Sequence, residues 1–514
     1  MAAVSSNPRQ PPAGHAGSPL QGLANLWRRC AATLRADRSP DDVRSWRHIA
    51  FKLFVFAGLA LLGAFWGSAV AVANWNALYL CVSLLVCVFI LRDFRIGVIL
   101  LILLLPLSRS SVFPREMLGI RGLNPFNLLL VGTLGSCLLR GLFDGSLHRF
   151  VPHPLLWLYI AAIVVAGALG WRHVGEILPY MKHMLEYDSA AGYLGEYVLK
   201  PLVLVVYALL VGAAVSRSER PEKFLVPTLI SIWAMGSMVI VFAYMSGAAL
   251  GELASSLHGA MMSGLGVHEN ELGRLYAVAY ALLLFTWAES KDRGLKLALL
   301  ASMGLVAVAL MLTFSRGAFL GFILVNMLFL LWRRNAKTLI FLGVLAAVAL
   351  FLLPGAVYDR ITFGYGSGLN EISSGRIEGI WLPLLPDILR NPVYGNGLGS
   401  ILWSEAMRRA DGVTTLLVGH PHNAYLEAVL DMGIAGLIIV CAYFAHVWKG
   451  FRALSVDPAL SPTLRGFYLG AAAGLASFLI AAIVDSSFRP VPEQAFLWLA
   501  IGMMYGQRAR KSAM

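Results

Sequence analysis

The residues of this 514-residue chain whose types and spacing could do chemistry fall in a few short stretches. In Val418-Gly-His-Pro-His-Asn-Ala-Tyr-Leu-Glu427 a polar loop turns into an apolar helix, which the sequence predicts to begin at His422, just after Pro421. The amino end of a helix disfavours imidazolium, and a neutral imidazole accepts a proton, the property of a general base near neutral pH. Asn423 and Glu427, four residues apart, lie together on one face of that helix. His420 and His422 could hold a metal, yet no cysteine or placed carboxylate completes a ligand set, so none is expected. A histidine that merely caps the helix or lies at the interface is the plain alternative, and spacing alone leaves it open.

Two arginines suit an anion. In Ser315-Arg316-Gly317 there is almost no loop between two apolar runs, so Ser315 can cap the following helix while Arg316 lies in its first turn. Exposed helix amides and a guanidinium together would favour a phosphate group, although an arginine snorkelling to headgroups would look the same. Ser373-Ser374-Gly375-Arg376 precedes the amphipathic stretch Ile380-Trp-Leu-Pro-Leu-Leu385, which could fold its loop back onto a membrane, and Arg376 is a second candidate anion clamp, although a loop arginine that is simply solvated is the plain alternative unless the loop carries other site residues. Tyr394-Gly-Asn-Gly-Leu-Gly-Ser400 lacks the strand, the helix and the lysine of a phosphate-binding loop and reads as a turn.

These residues need elements to position them, and the composition says which kind. Hydrophobic residues make up 58% of the chain and charged residues only 13%, with a mean hydropathy of +0.71. Such a chain needs a non-aqueous solvent, and its repeated apolar runs of spanning length define an all-α polytopic membrane protein. The net charge of +13 sits in short clusters at the ends of apolar runs, the signature of membrane orientation and not of a nucleic-acid face, so no nucleic acid partner is expected. Of Cys30, Cys81, Cys87, Cys137 and Cys441, only Cys30 lies outside an apolar run, and no disulfide framework or metal spacing emerges.

The predicted spans are Ile49 to Trp66, Ala69 to Leu91, Ile96 to Leu107, Phe126 to Phe143, Leu155 to Gly170, Leu199 to Val215, Phe224 to Tyr244, Leu275 to Trp287, Leu295 to Thr313, Ala318 to Trp332, Leu339 to Leu353, Asn423 to Val447, Phe467 to Ile483 and Ala495 to Met504. They amount to about 12–14 transmembrane helices, depending on whether short runs are re-entrant. Residues 1–47 are expected to form a basic cytoplasmic tail without a cleavable signal, 48–354 the spans with short loops, 355–421 a large loop domain on the outer side carrying site residues, 422–507 the last spans, and 508–514 a cytoplasmic tail. The positive-inside rule orients this count, because most predicted inner connections are short and basic. Cations nevertheless remain on the outer side: Arg115, Arg121, Lys182, Lys200, Arg274, Arg316, Arg376 and Arg489, with His173, His268, His420 and His422. An anionic ligand there is the simplest reason.

Thr313-Phe-Ser-Arg-Gly-Ala318, Ser374-Gly-Arg376 with Trp381 and Asn391-Pro-Val-Tyr-Gly-Asn-Gly397, and His422-Asn-Ala-Tyr-Leu-Glu427 with Asp431-Met-Gly-Ile-Ala-Gly436 follow one another in a fixed order. Together they resemble the O-antigen ligase and O-antigen polymerase superfamily of bacterial membrane glycosyltransferases, most strongly over Glu269 to Gly436. The resemblance implies a metal-independent, inverting transfer of a glycan from undecaprenyl diphosphate to an acceptor hydroxyl on the periplasmic face of the inner membrane, without a cofactor, and makes 355–421 a periplasmic loop domain. Arg316 and Arg376 would hold the diphosphate and His422 would be the base, with Lys200, Arg274, His420, Asn423 and Glu427 as secondary candidates. The favoured acceptor is lipid A-core, with membrane lipid as the surrounding partner. An O-antigen or exopolysaccharide polymerase, a protein O-oligosaccharyltransferase and, from another class, a transporter are the competing readings; no internal repeat supports the last.

Overall fold

The computed structural model describes Ala57 and most of residues 75–513; residues 1–56, 58–74, 109–113, 115, 119, 146–149, 182–184, 186, 248–264, 334–339, 341–342, 344–354, 363, 365, 367, 409–417, 485–486 and 514 lie outside the described set. The amino-terminal tail, the expected span Ile49 to Trp66, most of Leu339 to Leu353, Arg115 and Lys182 are therefore outside the described residues. The chain divides into two compact units, Met1–Cys81 and Val82–Met514, and the second contains the candidate site.

Among the described residues the long helices are α1 Trp75–Arg92, α2 Phe94–Leu104, α3 Pro125–Asp144, α4 His153–Trp171, α5 Ala190–Ser216, α6 Pro221–Met245, α7 Glu269–Glu289, α8 Arg293–Leu312, α9 Arg316–Arg333, α10 Ala424–Ser455, α11 Pro462–Ala481 and α12 Ala495–Ala513. Each expected span other than the two named above falls on one of them. Eight (α3, α4, α5, α6, α8, α9, α10 and α11) are long and apolar enough to cross a membrane. The protein is an all-α polytopic membrane protein; among the described residues the strand pairing is a short hairpin, Glu116–Met117 against Ile120–Arg121. Caps fix many of the boundaries: the side chains of Asn124, Asp292 and Ser461 accept helix N–H groups at the starts of α3, α8 and α11, satisfying donors that the first turn leaves open.

α7 is the central helix, buried from Leu272 to Thr286. It packs closely on α11, where a Cβ at Gly470 would lie 2.5 Å from the Ala281 carbonyl oxygen; only a small residue permits that approach. Outer helices keep large apolar side chains exposed, such as Val131, Leu139, Leu297, Leu300, Ile323 and Ile438, the faces that a bilayer covers.

The bundle has two chemically different ends. At one, Arg333 of α9 pairs with Glu289 at the end of α7 (2.7 Å), Arg452 of α10 stacks on Trp332, and Arg510 of α12 donates to the Ser218 carbonyl beyond α5 (3.0 Å). The opposite end gathers the starts of α9, α10 and α12 with the close of α11. Over the polypeptide between α9 and α10 lie short helices at Gly355–Thr362, Leu369–Ile372, Leu382–Arg390 and Glu405–Arg408, the third entered through a π-turn at Ile377–Trp381. This region has its own apolar core, where Ile380, Leu384, Ile401, Trp403 and Met407 meet Val174, Tyr187 and Tyr193.

The segment 391–399 fastens this layer to the bundle. α10 is broken at Gly433, whose backbone is non-helical (φ 68°, ψ −177°). The groups that the break releases are paired by the segment: Ile434 and Ala435 N–H donate to the Pro392 and Val393 carbonyls (2.8 and 3.2 Å), and the Leu430 and Asp431 carbonyls accept from Asn396 and Gly397 N–H (2.9 and 2.8 Å). The glycine-rich stretch is thus a turn, as its sequence indicates, and its work is to complete a broken helix.

Candidate active site

His422 stands just ahead of α10. The helix begins two residues later than the sequence suggests, at Ala424, because Asn423 takes the capping position: its Oδ1 accepts from Tyr425 and Leu426 N–H (3.0 and 3.1 Å). His422 is left in a left-handed backbone conformation (φ 53°), which histidine adopts more readily than most residues. Its N–H points to His420 Nδ1 (3.4 Å), and the two rings lie 4.0 Å apart between centroids, tilted by 55°. Trp381 ties the overlying helix to this turn through a hydrogen bond from Nε1 to the Pro421 carbonyl (2.9 Å).

The two arginines reach the same end of the bundle from different elements. Arg316 opens α9, with Ser315 Oγ accepting from Ala318 N–H (3.4 Å) as the cap, and its guanidinium donates to Ser374 Oγ. Two residues along from Ser374, Arg376 donates to the carbonyl of Val484, just past α11. The amide of Ala424 meets the adjacent carbonyl of Ala482 (2.9 Å). The connector after α11 therefore lies between the arginines and the histidine. Among the described residues, four non-glycine residues have positive φ, and three of them are Phe314, Ser374 and His422. Each sits in a motif singled out from the sequence. Strained backbone of this kind persists where the surroundings hold it and marks candidate functional sites.

The secondary candidates are placed as follows. His420 is exposed beside His422, while Asn423 is the cap just described. Glu427 is buried and accepts from Arg489 Nη2 (2.8 Å). Arg274 lies inside α7, 3.5 Å from Glu493 at the approach to α12, both side chains buried. Lys200 stands one turn beyond Tyr197 with its ammonium against Glu196. Among the described residues, no three His, Cys, Asp or Glu side chains group as metal ligands.

Arg489 is the residue that sequence reading did not single out. It appears there only as one outer cation among many, because its partner Glu427 lies 62 residues earlier. Its guanidinium sits 4.8 Å from the Tyr197 ring centre, and its side chain is 19% exposed. Burial pulls its pKa down, but the Glu427 carboxylate, with Tyr197 and Asp431, more than offsets this, so the guanidinium is held charged. Asp431, one turn beyond Glu427, accepts from Gly399 N–H (3.1 Å) and from Ser400 N–H and Oγ (3.0 and 2.6 Å), which anchors the far end of the 391–399 segment.

The class that the fold defines is a many-helix membrane protein, and its arginines and histidine drawn to one end, beneath a folded layer, are of the types that suit an anionic group. Residues 299–441 match the O-antigen ligase family. The match includes Arg316, Arg376 and His422 and stops short of Arg489. The chain is also 26% identical over 337 residues to an O-antigen ligase of Pseudomonas aeruginosa, across 63% of this chain and 74% of that protein. Both are similarities to O-antigen ligases over part of the chain.

Proposed function

We propose that this chain is an O-antigen ligase: it moves a glycan from undecaprenyl diphosphate to a hydroxyl of lipid A-core on the periplasmic face of the inner membrane, without a metal and with inversion. The observation that carries the reading is the meeting of Arg316, Arg376 and the His422 turn around the connector after α11. The acceptor oxygen forms a bond to the anomeric carbon as that carbon's bond to the diphosphate oxygen breaks, and the electron pair leaves with undecaprenyl diphosphate. The hydroxyl proton passes to His422. Arg316 and Arg376 stabilise the negative charge that grows on the leaving diphosphate, the role preorganised guanidinium groups fill in group transfer. Attack opposite the leaving group inverts the anomeric centre. The basic residues at the opposite end of the bundle, Arg333, Arg452 and Arg510, support the orientation that puts the site outside.

The test is transfer by purified protein in detergent from undecaprenyl-diphosphate glycan to lipid A-core, with a chelator present. Product is expected. His422→Ala should lower the rate about 100- to 10,000-fold, the range for losing a general base, and Arg316→Ala or Arg376→Ala about 100- to 1,000-fold each, as for a lost charge-stabilising donor. Undiminished transfer by folded His422→Ala protein would sink the role given to that residue. Longer lipid-linked glycan in place of a lipid A-core product would make the protein a polymerase.

A further inference from the structure

We infer that Arg489 is a positioning residue of the transfer site, acting through Glu427 to fix where His422 stands relative to Arg316 and Arg376; the inference rests on the function just proposed. The connector following α11 touches the surroundings of all three residues. The Ala482 carbonyl receives the first amide of α10 (2.9 Å), two residues after His422. The Val484 carbonyl receives Arg376, and a Cβ at Gly317, next to Arg316, would meet the Val484 side chain at 3.1 Å. A shift of this connector would move the arginines and the histidine relative to one another.

Arg489 ties the first turn of α10 to the approach to α12. Its Nη2 donates to Glu427 (2.8 Å), its backbone N–H and Nε to Ser487 Oγ (3.1 and 3.4 Å), and its carbonyl accepts from Gln494 Nε2 (3.0 Å). The neighbouring Phe488 carbonyl accepts from the buried Tyr159 hydroxyl of α4. Glu427 lies one turn past the Asn423 cap, so the ion pair sets both the rotation and the height of the first turn of α10. A substrate phosphate would have to displace a buried carboxylate to reach this guanidinium, which argues against Arg489 as a second anion ligand. The break at Gly433 separates Ala424 to Met432 from the rest of α10, so this short segment depends on such side contacts for its place.

The experiment uses the full-length protein in detergent as Arg489→Met, Glu427→Met and the two combined, with two readouts: hydrogen exchange over residues 418–432 and steady-state transfer from undecaprenyl-diphosphate glycan. Removing one partner of a buried pair strands the other, whereas replacing both with apolar side chains is often neutral for stability. The combined variant therefore keeps the test open where Arg489→Met fails to fold. Exchange over 418–432 should rise about tenfold while α7 is unchanged, and kcat should fall about a hundredfold, the cost of an ångström-scale misplacement. The donor KM should stay within about threefold. Wild-type kcat in the combined variant overturns the inference, as does a raised donor KM at constant kcat, which would make Arg489 a donor ligand. A wild-type protein that transfers nothing, combined with the expected rise in exchange, would overturn the proposed reaction and leave the positioning of the His422 turn standing. Unchanged exchange sinks the positioning role even where wild-type transfer is robust.

Discussion

Gly433→Ala tests how the loop layer is joined to the membrane helices. Gly433 has φ 68° and ψ −177°, a conformation nearly closed to residues with a Cβ and costing roughly 1–3 kcal/mol to impose on one. The added methyl would also lie 2.1 Å from the Val393 carbonyl oxygen and 2.5 Å from Tyr394 N, so the 391–399 segment must back away or α10 must straighten. Either response breaks hydrogen bonds among those of Ile434, Ala435, Asn396 and Gly397, each contributing about 1 kcal/mol net. Loss of two with the strain comes to roughly 3–5 kcal/mol of local destabilisation. That corresponds to at least about a hundredfold less protection from hydrogen exchange, at about 1.4 kcal/mol per factor of ten. The assay is exchange read on peptides covering 391–399 and 430–436, with α7 as internal reference. Gly195→Ala is the control, since a Cβ there meets nothing within 4 Å and its φ is −57°. Equal protection in Gly433→Ala and wild type would refute the account of the break.

Asn423→Ala removes the cap of α10 and should cost about 1 kcal/mol, seen as faster exchange confined to the first turn beyond His422; an unaltered first turn would remove the cap from the account. Arg376→Lys keeps a charge but loses the planar fork that reaches the Val484 carbonyl, so transfer should fall about tenfold, and full activity would show that charge alone suffices. At the opposite end, the hydrogen bond from Lys511 holds the Asp457 carboxyl below the usual carboxylate range. A carboxyl depressed by folding contributes stability above its unfolded pKa of about 3.9 and loses it as pH falls through the lower folded value. The end of α12 should therefore keep its exchange protection down to about pH 4 and lose it below, and Asp457→Asn should abolish that acid dependence.

The sequence carries the membrane architecture because apolar runs of spanning length need no partner to be recognised, and the expected spans outside the undescribed stretches lie on helices. It also singles out Arg316, Arg376 and His422 as candidates, since each sits where a helix starts or where a glycine or serine turn bends the chain. Local patterns did less well at the start of α10, where the side-chain cap by Asn423 outranks the proximity of Pro421. Least legible were features built from distant residues. Arg489 and Glu427 meet across the whole of α10 and α11, and nothing near either residue announces the other. The break at Gly433 is hidden for a similar reason: a glycine inside an apolar helix looks tolerated until the segment that pairs its released backbone groups is seen beside it.

That pairing also orders the protein's assembly. The 391–399 segment is synthesised before α10, and the proposed topology carries it across the membrane while α10 is still to be inserted. A broken helix has no water in hydrocarbon to satisfy its released amides and carbonyls, so α10 would enter as a regular helix and acquire its break once the waiting segment docks. The His422 turn would then take its final place as a late event of maturation, after insertion of the helix that carries it.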